Sequence, residues 1–367
     1  MKRIVRKFIK LPGIFMFNAA HKDLYYLACD RFIDSYSPKQ YERVYSDFEE
    51  RINREDVFNE AEKKRMRRDY KFWWHIQGLE PEEYFSRALY TQPYKVKNGL
   101  VSRWRQNIFQ YNVNKRTDCS GLDDKAQFNR KYSKYLKREW ILTKDVSLDT
   151  LSTFIEKENE VIAKPLNGSG GKGIFKINWN TISDKEKEST LNVLMHNEYI
   201  IESVLKQKGY LHDINVDSVN TVRVNTLLEN GQVSIISVGL RTGIKGQVTD
   251  NMHAGGIFWQ VNPKTGEIGY GSRSVGKPFN EHPDSKIKVT GSTIPRFDEA
   301  VQICKEAQLI TPNIPQIGWD VVISEDFVAL IEGNSGAGIS NILNSENLWK
   351  RLKKYLYKNK TDIVLWY

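Results

Sequence analysis

Residues 161–177, Val-Ile-Ala-Lys-Pro-Leu-Asn-Gly-Ser-Gly-Gly-Lys-Gly-Ile-Phe-Lys-Ile, restrict this chain more than any other segment. Apolar and β-branched residues precede a glycine loop, and Ile174, Phe175 and Ile177 follow it, so the segment reads as strand, loop, strand. Gly168, Gly170, Gly171 and Gly173 leave backbone N–H groups unshielded, and such a loop can close over an anion. Lys164 and Lys172 bring charge to where phosphate oxygens would lie. The spacing also matches a dinucleotide fingerprint, but that needs a following helix, and Ile-Phe-Lys-Ile alternates like a strand. A Walker A loop needs Ser or Thr where Gly173 stands. A protein-kinase hairpin carries its lysine after the glycines, whereas Lys164 precedes them. A surface hairpin without ligand is the remaining alternative.

A second segment runs from Gly318 to Asn334, with apolar strands flanking Ser324-Glu325-Asp326. Folding about Asp326 would set Asp320 opposite Glu332 at the open end, and Asn334 would point to the same side. Opposed carboxylates repel unless a cation lies between them, and Mg²⁺ with its oxygen ligands answers that need. The bland alternative is a surface hairpin with solvated acids.

With 367 residues, the chain is long enough for two or three subdomains. The formal net charge of +10 suits an anionic partner. Basic residues are dispersed among acidic ones, which argues against nucleic acid. No apolar run reaches 18 residues, and the basic start lacks a signal-peptide core. Cys29, Cys119 and Cys304 lack metal-ligand spacing, so a reduced, cytoplasmic setting is expected. Ile4, Val5, Phe8 and Ile9 among basic residues form an amphipathic face, either packed on its own domain or resting peripherally on an anionic membrane.

The pattern predicts four regions: 1–115 mainly helical, 116–198 with the glycine flap, 199–345 with the acidic hairpin, and 346–367 as an amphipathic helix. Charge density without glycine predicts helix from Phe48 to Arg68, and Lys125 to Leu136 reads as another. Tyr70, Phe72, Trp73, Trp74, Tyr84 and Phe85 are expected in a core. Thr221 to Leu228 and Val233 to Leu240 form a hairpin about Asn230-Gly231.

Lys125, Lys164, the glycine flap, Ile200-Ile201-Glu202 and Asp320-x11-Glu332-x-Asn334 together resemble the ATP-grasp superfamily. More narrowly, Asn220-Thr221-Val222-Arg223, Asp250-Asn251, Gly255-Gly256, Ile317-Gly318-Trp319-Asp320 and Leu330-Ile331-Glu332-Gly333-Asn334 resemble its sugar-transfer-associated family. The likeness covers about residues 120 to 345. It implies an α+β ATP-grasp fold, two subdomains gripping ATP between antiparallel sheets, behind a mainly helical N-terminal domain.

The same resemblance implies roles. Lys125 and Lys164 would meet the α and β phosphates. The flap, Gly168, Ser169, Gly170, Gly171 and Lys172, would cover the β and γ phosphates. Ile201 and Glu202 would hold adenine through main-chain groups, with Leu205 against the ring. Asp320, Glu332 and Asn334 would bind Mg²⁺, and Arg223 would offset charge on the transferring phosphoryl group. His253, beside Asn251, is placed near the acceptor, the alternative being an ordinary loop histidine. The implied activity is an ATP-dependent carboxylate–amine or carboxylate–thiol ligase using an acyl phosphate, with a small-molecule or glycan-precursor substrate. Alternatives are a kinase acting on a hydroxyl and a silent nucleotide-binding assembly protein.

Overall fold

The computed structural model describes residues 38–54, 57–114, 118–166, 173–247, 250, 255–273, 277–339, 347–359 and 363. The N-terminal amphipathic stretch, Cys29, the flap residues Gly168, Ser169, Gly170, Gly171 and Lys172, and Asn251 and His253 all lie outside the described residues.

The first part is helical: α1 (Pro38–Asn53), α2 (Glu60–Gln77), α3 (Pro81–Ser86), α4 (Tyr94–Gly99) and α5 (Arg103–Val113). The single helix expected from Phe48 to Arg68 is in fact two. Asn59 caps α2, accepting from Glu62 N at 2.9 Å while Glu62 Oε2 accepts from Asn59 N at 2.9 Å. This reciprocal box starts a new helix without any glycine or proline to announce it. Gly78, at φ +60°, ends α2 in the left-handed region. Tyr70, Phe72, Trp73, Tyr84 and Phe85 are buried around Phe48, which stacks on Tyr70 at 4.3 Å. Trp74 is only partly buried at the edge of this cluster.

Next come α6 (Ser120–Asp123), α7 (Lys125–Lys131) and α8 (Leu148–Glu158). The helix expected to reach Leu136 stops at Lys131 and continues as a 3-10 turn at Ser133–Tyr135. Strands β1 (Trp140–Leu142), β2 (Glu160–Pro165), β3 (Phe175–Asn178) and β4 (Tyr199–Ser203) form an antiparallel sheet in the order β1-β4-β2-β3. Helices α8 and α9 (Asp184–Met195) cover one face, where Leu151, Ile155 and Leu194 join Val161, Ala163 and Ile201 in a core.

After the short α10 (Tyr210–Ile214), strands β5 (Thr221–Glu229), β6 (Gln232–Thr242), β7 (Ile257–Val261), β8 (Ile268–Ser272), β9 (Gln316–Ile323) and β10 (Val328–Asn334) make a second antiparallel sheet. Its order is β10-β9-β5-β6-β7-β8. Asn230 (φ 51°) and Gly231 (φ 76°) turn β5 into β6, the left-handed pair that matches strand twist. Helix α11 (Phe297–Ile310) seals one face, packing Phe297, Ala300, Cys304 and Ala307 on Val222, Val224, Trp319 and Val321. Helix α12 (Leu348–Asn359) joins α5 through Leu352 and Tyr355 against Phe109 and Val113. The opposite face carries Asp320, Arg223 and Asn225, and on it Leu227 packs with Phe109 and Leu352.

Candidate active site

Strand alternation fixes which side chains reach the cleft. Across the large sheet, register aligns Glu332, Asp320, Arg223 and Gly239 in one row. The row depends on irregularities the pattern did not reveal. Val328 to Leu330 pair with Ile323 to Val321, whereas Glu332 to Asn334 pair with Asp320 to Gly318. Ile331 is therefore an extra residue, a β-bulge. The hairpin closes tighter than folding about Asp326 implies, with Ser324 N donating to Phe327 O at 2.9 Å. Without the bulge Asp320 would oppose Ile331, and Glu332 would turn to the covered face. A second bulge, at Ile236 of β6, sets Arg241 opposite Thr221.

The two acids differ in environment. Asp320 is buried, gripped by Arg223 through Nε and through NH2 at 2.8 Å, and by Arg241 NH2 at 2.7 Å. Burial alone would raise its carboxyl, but the Arg223 and Arg241 charges outweigh this and hold it far below the usual range. Glu332 lies at the exposed rim, accepting from Asn334 Nδ2 at 2.9 Å. Enclosure of its carboxyl by surrounding groups, then the Asp320 charge, push its pKa upward. Arg241 also donates to Thr221 Oγ1 at 2.7 Å, and Thr221 binds Asp250 through its hydroxyl and through N at 3.2 Å.

Strand β2 of the smaller sheet supplies Lys164, and the start of α7 supplies Lys125. Lys164 Nζ meets Glu202 Oε2 at 2.5 Å, and Lys125 Nζ donates to Pro165 O at 3.0 Å, at the root of the glycine loop. Burial and then the Lys164 charge lower the Lys125 pKa, while Glu332 and Glu202 oppose them. The lysines and the rim acid thus share one field. Glu202 is buried against Lys164, Arg138 (3.1 Å) and Asn129 (2.7 Å). Burial raises its carboxyl, but Lys164 and Arg138 bring it down to about 2.

Ile201 and Glu202, expected at the adenine, lie on β4. Strand β4 is central: β1 pairs with Ile200 to Glu202 on one side and β2 on the other. The main-chain groups of Ile201 and Glu202 take part in the two ladders, and each carbonyl oxygen keeps a second lone pair for a further donor. Ser203 N and Val204 N are likewise committed, to Glu139 O and Glu160 O. Leu205 is the first position past this network. Arg223 too has a partner the sequence did not reveal, because Asp320 occupies its guanidinium.

Sequence reasoning missed Arg241, Arg138 and Asn129, which act through strand order rather than local spacing. Asp250 was visible beside Asn251, but its bond to Thr221 was not. His282 is buried: Nε2 meets Gly243 O at 3.0 Å and Nδ1 accepts from Asp284 N and Ser285 N, each at 3.4 Å. It organises its loop.

Among the described residues no three His, Cys, Asp or Glu side chains cluster as a metal site. The set that fits Mg²⁺ is two carboxylates plus the Asn334 amide oxygen, left available because its nitrogen faces Glu332. Two neighbouring carboxylates, one of them pushed toward protonation by the other, are what a divalent cation would relieve.

Two antiparallel sheets, one carrying Lys164 beside the glycine loop and the other carrying the Asp320–Glu332 pair, are the parts of an ATP-grasp protein, and the family model matches as one. More narrowly, the chain belongs to the sugar-transfer associated ATP-grasp family, whose model matches residues 104–356. No curated protein matches it by sequence. Similar solved structures include an ADP complex of N5-carboxyaminoimidazole ribonucleotide synthetase (11% identity, TM-score 0.39, covering 60% of this chain and 46% of that one). D-alanyl-alanine synthetase A from Vibrio cholerae O1 biovar eltor aligns at 12% identity and TM-score 0.40, covering 65% and 66%. The ATP-grasp ligase PsnB with a phosphomimetic precursor variant, Mg and ADP aligns at 13% and 0.38, covering 66% and 61%. The chain thus spans less than half of the first of these and about two thirds of the second. No helix among the described residues is long and apolar enough to cross a membrane.

Proposed function

We propose that this protein is an ATP- and Mg²⁺-dependent ligase that joins a carboxylate to an amine or thiol, with a sugar acid, amino sugar or related glycan precursor among its substrates. The observation carrying this reading is that Lys164 on β2 and Lys125 at the start of α7 flank the glycine loop, with Glu332 of the acid pair close enough to act on Lys125. Family membership adds the expectation of ATP, and the family's description alone suggests the glycan context.

In this reading a substrate carboxylate oxygen attacks the γ-phosphorus, the bond to the β-phosphate oxygen breaks, and ADP leaves. The amine then attacks the acyl carbon, loses a proton and expels phosphate. Such chemistry needs placement and charge neutralisation more than a protein nucleophile. Lys164 exchanges Glu202 for phosphate oxygens, and Lys125 at the loop root meets the same group. Asp320, Glu332 and Asn334 would hold Mg²⁺, which when bound offsets charge on the phosphates. Arg223 and Arg241 keep Asp320 ionised and in place. Ile201 and Glu202 hold the base through main-chain groups, with Leu205 against the ring.

Product analysis with ATP and a panel of sugar acids, amino acids and amines tests this. ADP, phosphate and an amide or thioester support the ligase. ADP with a phosphorylated hydroxyl shows a kinase, and absence of turnover with every acceptor favours the nucleotide-binding assembly role.

A further inference from the structure

We infer that Arg138 is a positioning residue, a clamp that holds the β10 bulge and thereby places Glu332 opposite Asp320. It rests on the metal reading above. Arg138 precedes β1, outside the large sheet, yet its NH1 donates to Leu330 O at 2.7 Å and its NH2 to Ile331 O at 3.0 Å. These carbonyls belong to the extra residue and the one before it, where the ladder with β9 is interrupted. A bulge leaves local main-chain groups without cross-strand partners, and a buried carbonyl without a donor is costly. The guanidinium supplies those donors.

The same NH2 that reaches Ile331 O also lies 3.1 Å from Glu202 Oε1 and 3.2 Å from Asn129 Oδ1. Arg138 and Glu202 side chains are each 4% exposed, so the pair is shielded from water. Glu202 in turn holds Lys164. One connected path therefore runs from the phosphate-side lysine through Glu202 and Arg138 to the bulge, and from there to the acid pair. Planar, forked geometry is essential, since one group must reach two carbonyls and a carboxylate in fixed directions. A lysine keeps the charge but loses that fork.

The test measures binding of a non-hydrolysable ATP analogue by calorimetry with and without Mg²⁺, the readout being the ratio of the two affinities. Arg138→Lys should reduce that ratio about ten- to hundredfold, the scale for removing an outer support of a metal ligand. Deleting Ile331 abolishes the bulge while leaving Glu332 opposite Asp320 in a regular ladder, so this deletion should restore the ratio in the Arg138→Lys chain. An unchanged ratio in Arg138→Lys overturns the inference, as does failure of the deletion to rescue. Should Arg138→Lys not fold alone, the double variant decides: folded with the parent ratio supports the clamp, unfolded overturns it. Glu332→Gln is the control. If it retains the parent ratio, the metal reading itself fails; if it loses the ratio while Arg138→Lys does not, only the clamp falls.

Discussion

Asp320→Asn and Glu332→Gln remove one carboxylate each from the same pair, and the structure requires them to differ sharply in stability. Asp320 is 2% exposed and accepts from Arg223 and Arg241, both anchored on neighbouring strands. Replacing it with a neutral amide removes the carboxylate partner of Arg223 and one of two for Arg241, which keeps Asp250, a loss of about 3–5 kcal/mol for a largely buried pair. At about 2–4 °C per kcal/mol for a unit of 150–250 residues, the melting transition falls by roughly 6–20 °C. Glu332 sits at the exposed rim with Asn334 as its neighbour, and neutralising it also removes repulsion with Asp320. Its stability should stay within about 0.5 kcal/mol of the parent. Both variants should lose the metal-dependent gain in ATP-analogue affinity. Thermal denaturation at neutral pH, paired with calorimetry with and without Mg²⁺, separates the effects. Equal melting temperatures, or a Glu332→Gln chain less stable than Asp320→Asn, would refute the assignment of Asp320 as both structural anchor and metal ligand.

Lys164→Ala should weaken ATP-analogue binding by about 1.5–3 kcal/mol, the worth of a charged hydrogen bond, read by titration calorimetry. Gly318→Ala adds a Cβ that overlaps Ala337 Cβ and comes within 2.8 Å of Asn225 Oδ1. The expected cost is about 1–3 kcal/mol in denaturant unfolding, with the segment after β10 displaced. His282 gives a pH dependence of stability. Its burial lowers the folded-state pKa below the ordinary 6.5, so its contribution is complete above 6.5 and fades as pH falls from there through the folded value. Melting temperatures taken between about pH 7.5 and 5.5 should drop, and His282→Gln should flatten that acid slope. An unchanged slope would count against burial as the cause.

Particular elements show what could be read in advance. The Asn230-Gly231 hairpin and the aromatic core of the N-terminal helices follow from patterns within a few residues, where propensity and turn chemistry act directly. The break at Asn59 was also local, but its capping box was hidden among charged residues that fit a continuous helix equally well. The place of β4 within its sheet could not be read locally. A short apolar strand looks the same whether it lies at an edge or in the centre, and only strand order shows that both sides of β4 are occupied.

By itself the sequence determined that this chain has a glycine-lined strand pair and an acidic hairpin, because period-two alternation and turn residues act between near neighbours. The tertiary structure alone decided how Glu332 comes to face Asp320, since an extra residue at Ile331 shifts the ladder by one. It also decided the partners of those acids. Arg223 reaches Asp320 across 97 residues of chain and Arg138 reaches Ile331 across 193. Contacts at such separations depend on which strands lie side by side, and the strand order of the two sheets sets that.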